Sequence, residues 1–321
     1  MFDFLQKYLF RSIMYIFYNY YKNNLWTIYS DAPTAGNIAF PDFSVNYYVS
    51  FLTQKNIQIS GYIPSNVNFF SITIYDTDAD TIYYFDDNKV DKYVKNQFYS
   101  LVIRDLPRAY CIIVRYYLKQ KDTIISESEF YGLPRIMNID NSTYYSQSSL
   151  KERKQNTDSL VSYYTYFVSK RNFLLQSNYN EFKLPINPIQ MYFPNKKALY
   201  STLRVKSIDD VIIIRGQLPI INRTTNIRFI GFMLCNYLTT ETDNSISNDL
   251  LNTNFVLYIT STLKNATRYN YDAKNENHSL LLWNKNNIYP IVICREVKIN
   301  NIENEHNLNL SIDVNNYCTN S

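Results

Sequence analysis

Glycine is scarce, with 5 residues in a chain of 321. A phosphate-cradling loop needs glycines close together so that backbone N–H groups can approach the anion, and no such run exists here. Histidine is scarcer still: His278 and His306 are the whole complement. The commonest general base and metal ligand is therefore nearly missing. No His-Glu-x-x-His motif, Gly-x-Ser-x-Gly elbow or cysteine paired to a histidine can be assembled. Charge is thin as well, 32 basic against 28 acidic residues for a net +4, and only 19% of the chain is charged. That is far below the basic excess of a dedicated nucleic-acid binder, so no specific nucleic-acid partner is expected. No cofactor is expected either.

Cysteine is limited to Cys111, Cys235, Cys294 and Cys318, with no Cys-x-x-Cys pair. The first three lie inside apolar runs, where a cysteine behaves as a small buried hydrophobe, so free thiols and a reducing compartment are expected. The first 26 residues are strongly apolar, but Lys7, Arg11 and Lys22 interrupt them. No stretch reaches the ~18 uncharged residues that a spanning helix needs, and no small-x-small cleavage site follows. The expectation is an amphipathic N-terminal helix over 1–35. Docking on the body is preferred, and contact with a membrane interface through its tyrosines and Trp26 is the alternative.

What is abundant is Tyr (32), Phe (19) and Asn (40). These residues have AT-rich codons, so the composition points to an AT-rich genome. The same bias inflates Asn-x-Ser/Thr triplets: five occur, at Asn141, Asn222, Asn265, Asn277 and Asn309. About six are expected by chance, so they carry no glycosylation signal.

Past the N-terminal segment, short runs rich in Ile, Val, Tyr and Phe alternate with Asn, Asp, Pro and Gly, the signature of strands. The expected strands are Tyr47–Leu52, Ile57–Tyr62, Phe69–Tyr75, Thr81–Phe85, Phe98–Arg104 and Ala109–Leu118 in the first half. In the second half they are Leu199–Val205, Val211–Gln217, Ile227–Tyr237, Phe255–Ser261, Leu280–Trp283 and Ile291–Val297. Between them, Ser148–Asn180 carries charges and then apolar residues at helical spacing, which predicts a connecting helix. The halves repeat: Pro41-Asp42, Tyr47, Gly61-x-x-Pro64 and Phe69 are matched by Pro194-Asn195, Tyr200, Gly216-x-x-Pro219 and Arg228-Phe229. Ile113-Val-Arg115 and Ile293-Cys-Arg295 end the two series.

The expected fold is mainly β, a tandem duplicated β-sandwich (jelly-roll-like) with an N-terminal helix and a helical connector. Its parts are the helix at 1–35, a first unit at 36–147, a helical linker at 148–185, a second unit at 186–300 and a polar tail at 301–321. On Pro41-Asp42, Gly61-x-x-Pro64, Phe69–Asp76, Val114-Arg115-Tyr116 and Tyr131–Arg135, the first half resembles a family of uncharacterised duplicated-sandwich proteins of bacteria, fungi and large DNA viruses. The second half is similar to that family's other copy through Val211–Pro219, Arg228-Phe229, Cys235-Asn-Tyr237, Leu282-Trp283-Asn284 and Ile293-Cys-Arg295. The family carries an Arg-aromatic-Trp-Ser-x-Cys run, whereas here five residues separate Phe229 from Cys235. The resemblance implies a fold and, with the AT-rich composition, a virion component.

Two constellations could carry chemistry. Asp76, Asp78 and Asp80, continuing to Asp87 at the twelfth place, imitate a calcium loop, but Thr81 stands where the sharp turn wants glycine and the flanks read as strands. A solvated acidic hairpin is the competing reading. Arg115 and Arg295, on equivalent strands, could grip a carboxylate or phosphate; internal pairing or stacking on tyrosine is the plainer reading. The functional expectation is a non-enzymatic structural or interaction protein. It would be a virus-encoded particle component found in the virion or the host cytoplasm, with other particle proteins as partners and oligomerisation open. A carbohydrate-binding or carbohydrate-processing sandwich with a carboxylate cleft is the alternative.

Overall fold

The computed structural model describes residues 24–28, 42, 44–76, 80–87, 94–95, 98–107, 110–119, 134–144, 146–149, 195–207, 209–222, 225–236, 242–284, 286–287, 290–299 and 308–315. The protein is mainly β and divides into two compact units, 1–36 with 45–160, and 37–44 with 161–321.

The first unit contains β1 (Asn24–Ile28), β2 (Val45–Leu52), β3 (Ile57–Tyr62), β4 (Val67–Tyr75), β5 (Thr81–Asp86) and β6 (Val94–Lys95). It continues with β7 (Phe98–Ile103), β8 (Tyr110–Leu118), β9 (Arg135–Asn138), β10 (Thr143–Tyr144) and β11 (Ser146–Ser149). One sheet runs β11-β1-β2-β8-β4-β5 and the other β10-β9-β3-β7-β6. Among the described residues these strands pair antiparallel, except β1 with β11. β4 and β8 are buried at every position on both faces, which fits their mostly apolar sequences, interrupted by Asn68, Ser71 and Thr73 in β4 and Arg115 in β8. By contrast, β3 and β7 alternate buried with part-exposed residues and present one face outward. Tyr48, Ile72 and Val114 meet Ile59, Leu101 and Ile136 in one core. Each such aliphatic side chain removes apolar surface worth about 1.5–3 kcal/mol from water.

The second unit contains β12 (Ala198–Arg204), β13 (Val211–Gln217), β14 (Ile227–Asn236), β15 (Thr242–Ser247), β16 (Asn254–Thr260), helix α1 (Leu263–Arg268), β17 (His278–Leu282), β18 (Pro290–Lys298) and β19 (Leu310–Asn315). Its sheets run β12-β18-β14-β15 and β17-β16-β13-β19. Among the described residues of this unit, β16 and β17 pair in parallel and the other ladders are antiparallel. Leu203, Ile230 and Val292 pack on Ile212, Leu257 and Leu281. On the other face of β13 and β16 lies a smaller cluster of Val211, Ile213 and Tyr258, joined by Ala266 of α1. The helix starts where the Thr262 side chain accepts the Asn265 N–H at 3.2 Å, an N-cap. Each unit is thus sandwich-like, two sheets over a shared core.

Several expectations meet a different structure. The N-terminal segment expected as a helix over 1–35 contains strand β1; the remainder of that segment lies outside the described residues. Ser148 and Ser149, expected to open the connecting helix, end strand β11, and the rest of that helix also falls outside. The tail at 301–321 contributes strand β19, paired with β13.

Candidate functional site

The acidic hairpin forms between β4 and β5. The Asp80 N–H donates to Asp76 Oδ1 at 3.0 Å, and the Asp76 N–H donates to the Asp80 carbonyl at 3.0 Å. The Asp76 carboxylate thus stabilises its own turn. Asp78 lies outside the described residues. Asp86 is buried opposite Ser71 in the ladder, and Asp87 follows it at the end of β5. Among the described residues no group of three or more His, Cys, Asp or Glu is placed to hold a metal ion.

Asp76 also lines an open cleft of about 470 Å³ in the first unit, with Tyr83, Val102, Arg104, Asp105 and Leu106. Val102 is 53% exposed, so the cleft has an apolar wall in contact with solvent. Asp105 sits at φ 57°, the left-handed region. Its N–H donates to Asn56 Oδ1 at 3.3 Å, and the neighbouring Leu106 N–H donates to the Lys55 carbonyl at 3.0 Å. These bonds hold the loop in a conformation that a non-glycine residue enters at a cost of about 1 kcal/mol or more.

Both strand arginines are buried and engaged. Arg115 Nη1 donates to Thr73 Oγ1 at 3.2 Å and Nη2 to Tyr75 Oη at 3.0 Å, with the guanidinium 5.9 Å from the centre of the Tyr75 ring. Arg295 lies 5.2 Å from the centre of the Tyr200 ring, with Nη1 3.7 Å from Asp42 Oδ2. In the ladders, Arg115 stands between Tyr47 and Ser71, and Arg295 between Tyr200 and Gly231.

Asp42 is the residue that sequence reasoning passed over. In the sequence it stands out as half of a repeated Pro-Asp/Asn pair, and nothing in the spacing ties it to Arg295. Its Oδ1 accepts the Ser44 N–H at 2.9 Å, and the Ser44 and Ser247 hydroxyls share a hydrogen bond of 2.7 Å. Ser247 in turn donates to Asp249. A Cβ on Gly231 would stand 2.9 Å from Asp42 Oδ2, so the bare glycine leaves room for the carboxylate. Burial pushes the Asp42 carboxyl above the usual range, with the Arg295 charge and the Ser44 N–H pulling the other way. Nearby, burial also pushes the Cys235 thiol up to about 12. Taken together, the arrangement neutralises and packs buried charge; it holds no exposed nucleophile.

No protein-family profile matches the chain. No curated protein matches it either. Among solved structures, it is similar to an uncharacterised protein from Burkholderia cenocepacia at a TM-score of 0.64 and 12% identity, over 98% of this chain and 88% of that one. A protein from Vibrio parahaemolyticus matches at a TM-score of 0.50 and 9% identity, over 92% of this chain and 93% of that one. At these identities the likeness concerns the fold alone.

Proposed function

We propose that the chain is an internal duplication of a β-sandwich unit, a member of the duplicated-sandwich family it resembles, and a non-enzymatic structural or interaction component of a virus-encoded particle. The duplication is supported by strand order, β2-β8-β4-β5 beside β12-β18-β14-β15 and β9-β3-β7 beside β19-β13-β16. It is supported further by irregularities in the ladders. The register shifts between Val67 and Phe69 and again between Ile74 and Tyr75; the other unit shifts between Ile227 and Phe229 and between Leu234 and Cys235. Gly61 lies opposite Tyr99 as Gly216 lies opposite Phe255. Bulges are specific features of a strand pair, so their recurrence at matching places favours common descent of the two halves over coincidence.

The single observation that carries the functional reading is the commitment of Arg115 and Arg295 to internal partners. Guanidinium groups already engaged by tyrosine, threonine and aspartate serve cohesion, which is the work of a structural module. Partners would then be other particle proteins, and the location the virion or the host cytoplasm. Density-gradient fractionation of infected-cell lysate tests this: the protein should co-sediment with particles, and a purely soluble distribution would overturn the reading.

A second reading is favoured by the cleft, where Asp76 and Asp105 supply acceptors, Arg104 supplies donors and Val102 an apolar wall. Such a lining suits a carbohydrate, whose hydroxyls and C–H faces need both. A glycan array and a glycoside-hydrolase panel that both come out blank would remove it.

A further inference from the structure

In the first unit, the outward side chains of β3, β7 and β9 form one solvent-facing strip. The register sets Tyr62 opposite Phe98, Ser60 opposite Ser100 and Gln58 opposite Val102, and on the other side of β3 it sets Arg135 opposite Ser60 and Met137 opposite Gln58. Tyr62 is 41% exposed, Phe98 38% and Val102 53%. The two rings meet edge to face with centres 5.0 Å apart, and Gln58 Nε2 donates to Ser100 Oγ at 2.6 Å. Arg135 is exposed, as is Arg104 just past the end of β7, and none of the residues facing outward on the three strands is acidic. Val102 and Arg104 also line the cleft. From Phe98 to Arg104 the strip therefore runs about 20 Å and ends in that cleft, at the rise of an extended strand.

The second unit displays the same face when the chain covers it. Aligned on Gly61 with Gly216 and on Tyr99 with Phe255, Gln58 corresponds to Ile213, Ser100 to Val256 and Val102 to Tyr258. Those three counterparts pack with Ala266 of α1 and with Tyr269 and Tyr271. The covered face is apolar, whereas the open face of the first unit carries polar groups at two of the same three places. Its polar centre, aromatic end and two exposed cations fit a hydrated anionic ligand better than a missing helix. We infer that the strip binds an acidic oligosaccharide: one sugar packs its C–H face on Tyr62 and Phe98, hydroxyls meet Gln58, Ser60 and Ser100, and Arg135 grips a uronate carboxylate with its planar pair of donors. The ligand then passes Val102 into the cleft, where Asp76 and Asp105 accept from hydroxyls beside Arg104. This rests on the carbohydrate reading of the cleft, which it extends to a longer site and to a ligand of defined charge.

Isothermal titration calorimetry on the full chain tests the inference, with oligogalacturonate and oligomannuronate as acidic probes and a galactose oligomer of similar length as the neutral one. An acidic probe should bind about tenfold or more tightly than the neutral one, and the advantage should shrink as salt screens Arg135. Arg135→Gln should remove that preference, and Tyr62→Ala should weaken acidic and neutral binding alike by about tenfold. Arg268→Gln, which removes an exposed arginine of the second unit, should bind as wild type. If Tyr62→Ala does not fold, Arg135→Gln decides alone. Acidic binding that Arg104→Ala abolishes while Tyr62→Ala and Arg135→Gln leave it unchanged would overturn the strip and keep the cleft. Equal binding of acidic and neutral probes, or an equal loss in Arg268→Gln and Arg135→Gln, would overturn the charge recognition. No binding of any probe would overturn the carbohydrate reading together with the strip.

Discussion

At Gly61 and Gly216 the side chain is a hydrogen because an aromatic ring occupies the space a methyl would take. A Cβ on Gly61 would stand 2.6 Å from Tyr99 Oη, and one on Gly216 2.7 Å from Leu310 Cδ2 and 2.8 Å from Phe255 Cζ. No glycine among the described residues has positive φ, so the requirement is room and not backbone conformation. Tyr99 is fully buried and shares a 3.2 Å hydrogen bond with Tyr116, so it has little freedom to give way. Gly61→Val should therefore cost about 1–3 kcal/mol in chemical denaturation, and less when combined with Tyr99→Leu. An additive double variant would show that the ring is not the obstacle. Cys111, Cys235 and Cys294 are buried, and burial raises all three thiols. They should resist a thiol reagent in the native protein and react only on unfolding; fast native labelling of these three would contradict their placement. Asp42 gives a pH prediction whose sign follows from desolvation outweighing Arg295. A carboxyl raised in the folded state contributes stability that is full below its unfolded pKa and is lost as pH rises through the folded one. Wild type should therefore lose stability relative to Asp42→Asn as pH rises from about 4 toward 7. A gap that instead grows in favour of wild type would show the ion pair to dominate.

Among elements, legibility followed the strength of the local pattern. Ile57–Tyr62 and Val211–Gln217 were read with their observed bounds because dense β-branched runs end at turn residues. β15 was missed: its sequence TDNSIS has one apolar residue, and it is a strand because β14 pairs with it and buries Thr242, Ser245 and Ser247. That is a tertiary cause which no window of sequence contains. β19 was missed for a different reason. Leu310, Ile312 and Val314 alternate correctly and pack against the second core, but an Asn-rich surrounding masked the period of two. Strand β1 was absorbed into the apolar N-terminal segment, although Thr27 and Ile28 are β-formers. Ending the chain at residue 307 should strip one side of β13, lowering the melting temperature and promoting aggregation through the exposed edge. A truncated protein that melts and behaves as the full chain would show β19 to be dispensable. For the site, Arg115 and Arg295 were legible as a matched pair. Their partners were not, since Thr73, Tyr75 and Asp42 reach them through ladder register and a distant segment.

For the whole molecule, the two units share strand orders, bulge positions and an arginine at the same register, and both arginines are engaged within their own unit. That use of the two arginines suits the building element proposed above. Quantitative mass spectrometry of gradient-purified, protease-treated particles from its source tests the claim most directly. The protein should be retained after protease treatment, at a fixed ratio to the other particle proteins across independent preparations. Its absence, or a ratio that varies with the extent of purification, would contradict the structural role.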